Sequence, residues 1–552
     1  MKRWCVIAHE HILTGERYSA FNIIPFREKH PVVKALNGRE SVAKALMIQG
    51  TGSGAGKSLI AAALCRIFSD MGVSVAPFKA QNMALNSFIT SGGGEIGRAQ
   101  ALQAEASRTE PTVDMNPVLL KVSGETGSQV IIQGNVYATM RAQEYYASKA
   151  KAWAAVKESF DRLSRKYELI IMEGAGSPAE INLLSADIVN MAAAKYAAAP
   201  VVFVGDIDKG GVFASLYGTV KLLGRDSRNI RAFLINKFRG DIEILKPGLE
   251  MIEAKTGKPV IGVLPYIHDI GLPEEDGLAL QRVSQPRYRP ERSGMIKIVV
   301  VKLRYISNFT DFDPLACEPD VELVYSQNPS DIENADLVII PGSKNTVKDL
   351  LLLMESSLDR SIKRAYAKGI QIMGMCGGYQ MLGKKILDPH GVESSRGETK
   401  GIGLLNIVTS FDHKKITCQV EAVVTKAFPF RGNESARLQR LRGYEIHMGL
   451  SSGDIGLFGV KRLSHGTGES SGNATLPDGS INGNCWGTYL HGIFDNDRFR
   501  RELLNHIRKQ KGLPPARQNV NYRERKERAI DFLAGIVREH IDLDFVRRII
   551  GL

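Results

Sequence analysis

Short apolar runs rich in β-branched residues alternate with helix-length segments twice along this chain, and that rhythm limits its fold more than any other feature. The first series reads ALMIQG, GVSVAPF, YELIIMEGAG, APVVFVGDID, IRAFLINKF and KPVIGVLPY. The second reads IKIVVVKL, VELVYS, ADLVIIPGS, GIQIMGMCGG, GIGLLNIVT and GNCWGTYLHGIFD. Strands that alternate with helical stretches build parallel sheets with crossover helices. Two α/β domains in tandem are therefore expected, over residues 47–280 and 295–512, joined by a Pro- and Arg-rich linker at 281–294. Residues 513–552 read as amphipathic helices, and residues 1–46 lack any apolar rhythm, so they read as a disordered extension or a start placed upstream of the true one. The segment SHGTGESSGNATLPDGSINGN is glycine- and serine-rich and reads as a flexible loop.

Composition excludes more than it selects. The chain has 552 residues, 43% hydrophobic and 24% charged, and no apolar run approaches the roughly 18 residues of a membrane-spanning helix. The start MKRWCVIAHEHILTG breaks its apolar stretch at His9 and Glu10, too early for an export signal. Six cysteines, Cys5, Cys65, Cys317, Cys376, Cys418 and Cys485, lie far apart without metal-ligand spacing, which argues for a reducing cytoplasm and against a disulfide framework or zinc site. The net charge of +13 favours anionic partners without choosing among them. Much of it falls in RFRRELLNHIRKQKG and NYRERKERAIDF, which read as solvated helix faces, since no aromatic-interleaved nucleic-acid motif accompanies them.

A first site follows the strand ALMIQ. GTGSGAGKS, Gly50 to Ser58, lies between that strand and the helical stretch LIAAALCRIFSDMG, the context of a phosphate-binding loop. Glycines such as Gly50 and Gly56 let backbone N–H groups aim at phosphates, Lys57 supplies positive charge, and Ser58 can hold Mg²⁺. The leading glycine stands one residue earlier than the G-x-x-x-x-G-K-S spacing demands, where Thr51 would be its counterpart. Glu173, after LIIM, is placed as the second-strand acid that completes Mg²⁺ coordination. Lys79, Gln81 and Asn82 in PFKAQNMALNS, and Asp206 and Asp208 in GDIDKGG, lie beyond strand ends, where open α/β sheets bind ligands. Asn236 in INK is a candidate for reading the adenine edge.

A second site is marked by Cys376. A strand followed by G-M-C-G-G and a helix forms the elbow that presents a nucleophile, with Gly374, Gly377 and Gly378 permitting the strained turn. The helix N-terminus favours thiolate over thiol. A base is offered by His447 in GYEIHMG or His491 in GTYLHGIFD, both expected at strand ends, with His491 preferred because it follows the last apolar strand. N–H groups near Gly342 and Ser343, with that of Gly377, could hold the oxyanion of a tetrahedral intermediate.

At these residues the second half resembles the class I glutamine amidotransferases, which carry a Cys–His pair in a flavodoxin-like domain. The first half resembles the dethiobiotin synthetase branch of P-loop proteins. The ordered set QGTGSGAGKS, PFKAQNMALNS, MEGAGSPAEINL, GDIDKGGVFAS, PGSKNT, MCGGYQMLG, GYEIHMG and YLHGIFD resembles the cobyric acid synthase family of cobalamin biosynthesis over nearly everything after residue 46. That resemblance implies ATP-dependent, glutamine-driven amidation of the b, d, e and g carboxylates of adenosylcobyrinic acid a,c-diamide. It implies Mg²⁺ with ATP, no bound prosthetic group, and Asp187 in SADIVNM as a group handling the acyl phosphate. Many relatives carry His-x-Glu where this chain has Ile493 two after His491, so the group orienting the imidazole is open, with Asp495 as a candidate.

Two other readings compete. Cobyrinic acid a,c-diamide synthases share both domains and amidate other carboxylates. A partitioning or scaffold P-loop ATPase would usually show a lysine five before the loop lysine, where this chain has Gly52.

Overall fold

Lys44–Gly50 sits inside a six-stranded, wholly parallel sheet in the order Val260–Pro265, Ile230–Phe238, Val201–Asp206, Lys44–Gly50, Leu169–Glu173, Val75–Phe78. The computed structural model describes residues 42–122, 127–268, 270–273, 294–426, 440–463, 474–516 and 520–552. The expected extension therefore lies outside the described residues up to residue 41, and the expected linker up to residue 293. The strand begins at Lys44, three residues before Met47. Its unbroken apolar run fits burial on both faces: Met47 enters one core, and Leu46 and Ile48 enter the other.

The second of these cores is completed from far along the chain. Tyr522–His540 and Leu543–Ile550 contribute Ile530, Leu533, Val537, Val546 and Ile550, packed with Ile60, Leu64 and Ile67 of the helix Lys57–Asp70. Each fully buried aliphatic side chain of this kind contributes about 1.5–3 kcal/mol over exposure. Arg66 pairs with Glu527 at 2.6 Å and Asp531 at 3.4 Å, and Ile541 bridges Gly262. The terminal helices thus belong structurally to the first domain.

Between Val75–Phe78 and Leu169–Glu173 the chain makes an excursion that the strand rhythm does not reveal. A four-stranded sheet, Gln81–Met83, Val118–Val122, Gly127–Ile132 and Asn135–Arg141, is accompanied by a hairpin of Ser87–Ile89 with Glu95–Gly97 and a helix, Arg98–Ala106.

In the second domain the order is Val321–Ser326, Ile296–Val301, Leu337–Ile340, Gln371–Met375, Cys485–Thr488, Ser480–Asn482. The last strand alone runs antiparallel. GIGLLNIVT does not join this sheet: it leads into Ile407–Val424, the long strand of a separate mixed sheet that pairs with Leu441–Gly453. The glycine- and serine-rich segment expected as a loop contains two short strands, Leu476–Asp478 and Ser480–Asn482, while residues 464–473 lie outside the described residues.

The basic stretch RFRRELLNH is not wholly a solvated face. Arg500 is buried and meets Glu318 at 2.7 Å, while buried Arg501 meets Glu318 and, at 3.1 Å, Asp320. Charge periodicity marked the helix but not the acids packed opposite it. No helix among the described residues is long and apolar enough to cross a membrane.

Candidate active sites

Gly50 ends the central strand and Lys57 begins the helix, so residues 51–56 form the loop between them, with Gly54 and Gly56 at φ of 72° and 99°. A Cβ on Gly56 would lie 2.1 Å from Asn236 Nδ2, and that nitrogen donates to Ala55 O at 2.9 Å. Asn236 also accepts from Lys237 N at 2.9 Å through Oδ1. The amide thus braces the loop, and Asn236 also lines a cavity beside it. Asp206 is at the neighbouring strand end and pairs at 2.8 Å with Lys237, whose ammonium also donates to Gly54 O at 2.6 Å. Thr51 N donates to Val204 O at 3.0 Å, so it too fixes the loop. Lys57 donates to Gly52 O at 2.8 Å and Gly176 O at 3.2 Å.

Glu173 is the centre of this site. Its carboxylate accepts from Ser58 Oγ at 2.7 Å, Lys79 Nζ at 2.9 Å, Gln103 Nε2 at 2.6 Å and Gln100 Nε2 at 3.4 Å. Burial alone would raise this carboxyl, but the Lys79 ammonium, with the Gln103 and Ser58 hydrogen bonds, holds it below the usual range. Asn82 supports the same network by donating to Gln100 Oε1 at 3.0 Å, and Gln81 accepts from the Tyr145 hydroxyl.

Asp187 lines the same cavity as Lys57, Ser58 and Glu173. Its carboxylate accepts from the backbone N–H groups of Val189, Asn190 and Ala192 at 2.9–3.0 Å, just ahead of the helix Met191–Tyr196. The cavity, of about 1290 Å³, is lined by Gly56, Lys57, Ser58, Lys79 and Glu173, and on its far side by Lys297 and Tyr325 of the second domain.

Hard oxygen donors suit Mg²⁺, which needs only one or two protein ligands beside phosphate oxygens and water. Ser58 Oγ and the Glu173 carboxylate meet that description where they face the cavity. Among the described residues no group of three His, Cys, Asp or Glu side chains could hold a metal ion.

Cys376 stands between Gln371–Met375 and the helix Gly377–Leu382 at φ 51°, ψ −109°, a strained conformation for a residue with a Cβ. Its neighbours must be glycine: a Cβ on Gly378 would lie 1.9 Å from Ile340 O. Cys376 N donates to Thr488 O at 2.9 Å, and its sulfur lies 3.5 Å from Ile446 O. Cys376 is 9% exposed where Met375 beside it is fully buried.

His491 directs Nδ1 at Asp311 Oδ2, 2.6 Å away, while Asp311 Oδ1 accepts from Gly492 N at 3.2 Å. Nε2 has no hydrogen-bond partner among the described residues, leaving it for a proton from sulfur. Burial works against the charged ring, but Asp311 and then Cys376 outweigh it and push the imidazole up to about 10. Tyr444 stacks on the ring with centroids 5.2 Å apart and planes 12° apart.

Asp311 is the residue that sequence reasoning missed. It lies in the 3-10 turn Phe309–Phe312, and its one signal was an acid in a loop following the strand Ile296–Val301. Asp495, the candidate for this role, is instead an exposed acid in the electrostatic reach of Arg98 and Lys526. His447 lies within Leu441–Gly453 rather than at a strand end, with Nδ1 2.7 Å from Gly449 O and its ring stacked on Tyr489.

The expected oxyanion loop packs on the elbow. A Cβ on Gly377 would stand 2.9 Å from Ser343 N, and one on Gly342 would stand 3.7 Å from His491 Cε1. Ser343 Oγ donates to Asp349 at 2.6 Å, which pins the loop.

Comparison with known proteins matches both halves. Residues 46–280 fit the profile of the CobQ/CobB/MinD/ParA nucleotide binding domain, and residues 297–499 fit that of the CobB/CobQ-like glutamine amidotransferase domain. Among relatives, a cobyric acid synthase of Thermodesulfovibrio yellowstonii is 49% identical, aligned over 93% of this chain and 100% of its own length. Those of a Thermoanaerobacter species and of Moorella thermoacetica are 51% and 48% identical, covering 91% and 93% of this chain and 98% of each relative.

Proposed function

The chain belongs to the cobyric acid synthase family of glutamine-hydrolysing ligases, and from that premise we propose that it amidates the b, d, e and g carboxylates of adenosylcobyrinic acid a,c-diamide with ATP and glutamine. The observation that carries the reading is the elbow cysteine set against an acid-held imidazole, in the same chain as a phosphate loop with a buried acid.

A carboxylate does not react with ammonia near neutral pH, so it must first be energised. The substrate carboxylate attacks the terminal phosphorus of ATP, ADP leaves, and an acyl phosphate forms. Lys57 and the loop N–H groups offset the charge on the phosphate oxygens, while Ser58 and Glu173 would hold Mg²⁺. Bound there, that ion would neutralise phosphate charge and orient the phosphoryl group for in-line transfer. Lys79 keeps Glu173 ionised. Ammonia then attacks the acyl carbon and phosphate departs, giving the amide.

Ammonia comes from the second site. The Cys376 thiolate attacks the side-chain amide of glutamine, and the oxyanion meets the N–H groups of Gly342, Ser343 and Gly377. His491, held by Asp311, gives its Nε2 proton to the departing nitrogen. Water then cleaves the thioester to glutamate, with His491 accepting the proton.

Asp311 thus takes the orienting role, and Asp187, held by three backbone N–H groups on the cavity wall, remains the candidate for handling the acyl phosphate. We place the enzyme in the cytoplasm, acting on small molecules rather than on nucleic acid or a membrane.

The test is incubation with the a,c-diamide, ATP, Mg²⁺ and glutamine, followed by mass spectrometry. Four successive replacements of hydroxyl by amino group are expected. Amidation of only two carboxylates of cobyrinic acid itself would identify the a,c-diamide synthase activity instead.

A further inference from the structure

The hairpin of Ser87–Ile89 with Glu95–Gly97 is part of the nucleotide-binding half, yet it ends against the residues that hold the catalytic imidazole. Ser87 N donates to Asn308 Oδ1 at 2.9 Å, three residues before Asp311 in the same turn. The Phe88 ring lies 6.3 Å from Tyr444, the ring that stacks on His491, and the Tyr444 hydroxyl reaches Ser87 O at 3.4 Å. Ile89 forms a small buried cluster with Tyr444 and Ile446, and Ile446 O is the group in contact with the Cys376 sulfur. From the other side, Gln419 donates to Ile89 O.

Charge reinforces the joint. Glu95 is buried between Lys121 of its own domain, at 2.9 Å, and Lys415 of the other. Burial opposes its ionisation, but the two lysines hold its carboxyl well below the usual range. Lys415 in turn feels the Cys376 sulfur electrostatically.

The same segment runs on to the nucleotide site. Gly97 ends the hairpin and begins the helix Arg98–Ala106, whose Gln100 and Gln103 both donate to Glu173. Asn82 holds Gln100, and Asn116 accepts from Gly97 N at 3.0 Å, so the joint between hairpin and helix is itself fixed. One continuous stretch, residues 87–103, therefore touches the supports of the thiol site at one end and the phosphate-site acid at the other.

We propose that the hairpin at Ser87–Gly97 is a positioning element of the glutaminase site, and that the helix behind it ties that site's geometry to the state of Glu173. This rests on the division of labour set out above. Anything that draws Glu173 away from its glutamine donors moves the helix and, with it, the contacts at Asn308 and Tyr444. Two ligands that bias one shared element are coupled, so glutamine is hydrolysed fastest when the acid to be amidated is energised.

The experiment uses the full chain and measures glutamate released from glutamine, with and without ATP, Mg²⁺ and the corrinoid a,c-diamide. In the wild type the ligands raise kcat by about tenfold, within the usual range of coupling between sites. Phe88→Ala lowers kcat by about tenfold and removes the stimulation, while KM for glutamine stays within about twofold. Phe88→Tyr, which keeps the ring, restores both. Gln419→Ala removes the donor to Ile89 O from the opposite domain and also loses the stimulation. Amidation driven by ammonium chloride is unchanged in all three variants. The proposal is overturned if Phe88→Ala or Gln419→Ala keeps its stimulation, or if ammonium-driven amidation falls in step with glutamate release. Failure of the proposed function would show separately, as no amidation from ammonium chloride by the wild type, while glutamate release still reads the hairpin.

Discussion

At Glu173 four side chains share one carboxylate; at His491 one carboxylate holds one ring. The nucleotide site is a mesh in which each donor has a neighbour that does part of its work. The thiol site is a single file of sulfur, imidazole and acid, stiffened by the Tyr444 stack and by a backbone forced to positive φ at Cys376. The difference follows from the chemistry proposed for each. A phosphate cradle stabilises charge spread over several oxygens, which many weak donors can do together. A nucleophile moves one proton along one line, so each member is indispensable.

The comparison can be broken by substitution. Cys376→Ser should abolish glutamine-dependent amidation while leaving ammonium-driven amidation intact; loss of both would contradict two separable sites. Asp311→Asn should lower glutamate release on the order of 10³-fold, because the ring loses its orientation and its charge partner. Glu173→Gln acts at the hub of the mesh, and ammonium-driven amidation should fall on the order of 10²-fold with glutamate release in the absence of nucleotide retained.

A pH titration sharpens the contrast. The folded His491 binds its proton up to about 10, whereas the unfolded side chain releases it near its ordinary 6.5. Its contribution to stability is therefore complete below about 6.5 and is lost as pH rises towards 10. Urea unfolding should show stability falling with pH across that window, with a shallower fall in Asp311→Asn. The smallest effect is expected at a peripheral strand of the mesh: Gln103→Leu should cost about threefold in ammonium-driven amidation, since Ser58, Lys79 and Gln100 remain on Glu173. A loss as large as that of Glu173→Gln would mean the mesh has no redundancy.

Sequence legibility followed how locally each feature is encoded. The elbow could be read because its glycines adjoin Cys376, and the phosphate loop because strand, glycines and helix are consecutive. Asp311 could not, because it meets His491 across 180 residues and nothing in SNFTDFDP distinguishes it from any loop acid. The excursion between residues 81 and 141 was hidden for another reason: several of its strands are three residues long, too short to show an alternating pattern. Arg500 and Arg501 looked like solvated charges because a helix pattern records a face, not the acids that cover it. The amphipathic tail showed the same limit, announcing an apolar stripe but not that the P-loop helix would receive it.

That tail has a consequence for synthesis. The first domain emerges from the ribosome long before residues 522–550, so one side of its sheet waits through the making of the whole second domain for its cover. Its native packing can close only once translation has passed both active sites, and a nascent chain stalled earlier presents Ile60, Leu64 and Ile67 as a sticky surface for chaperones.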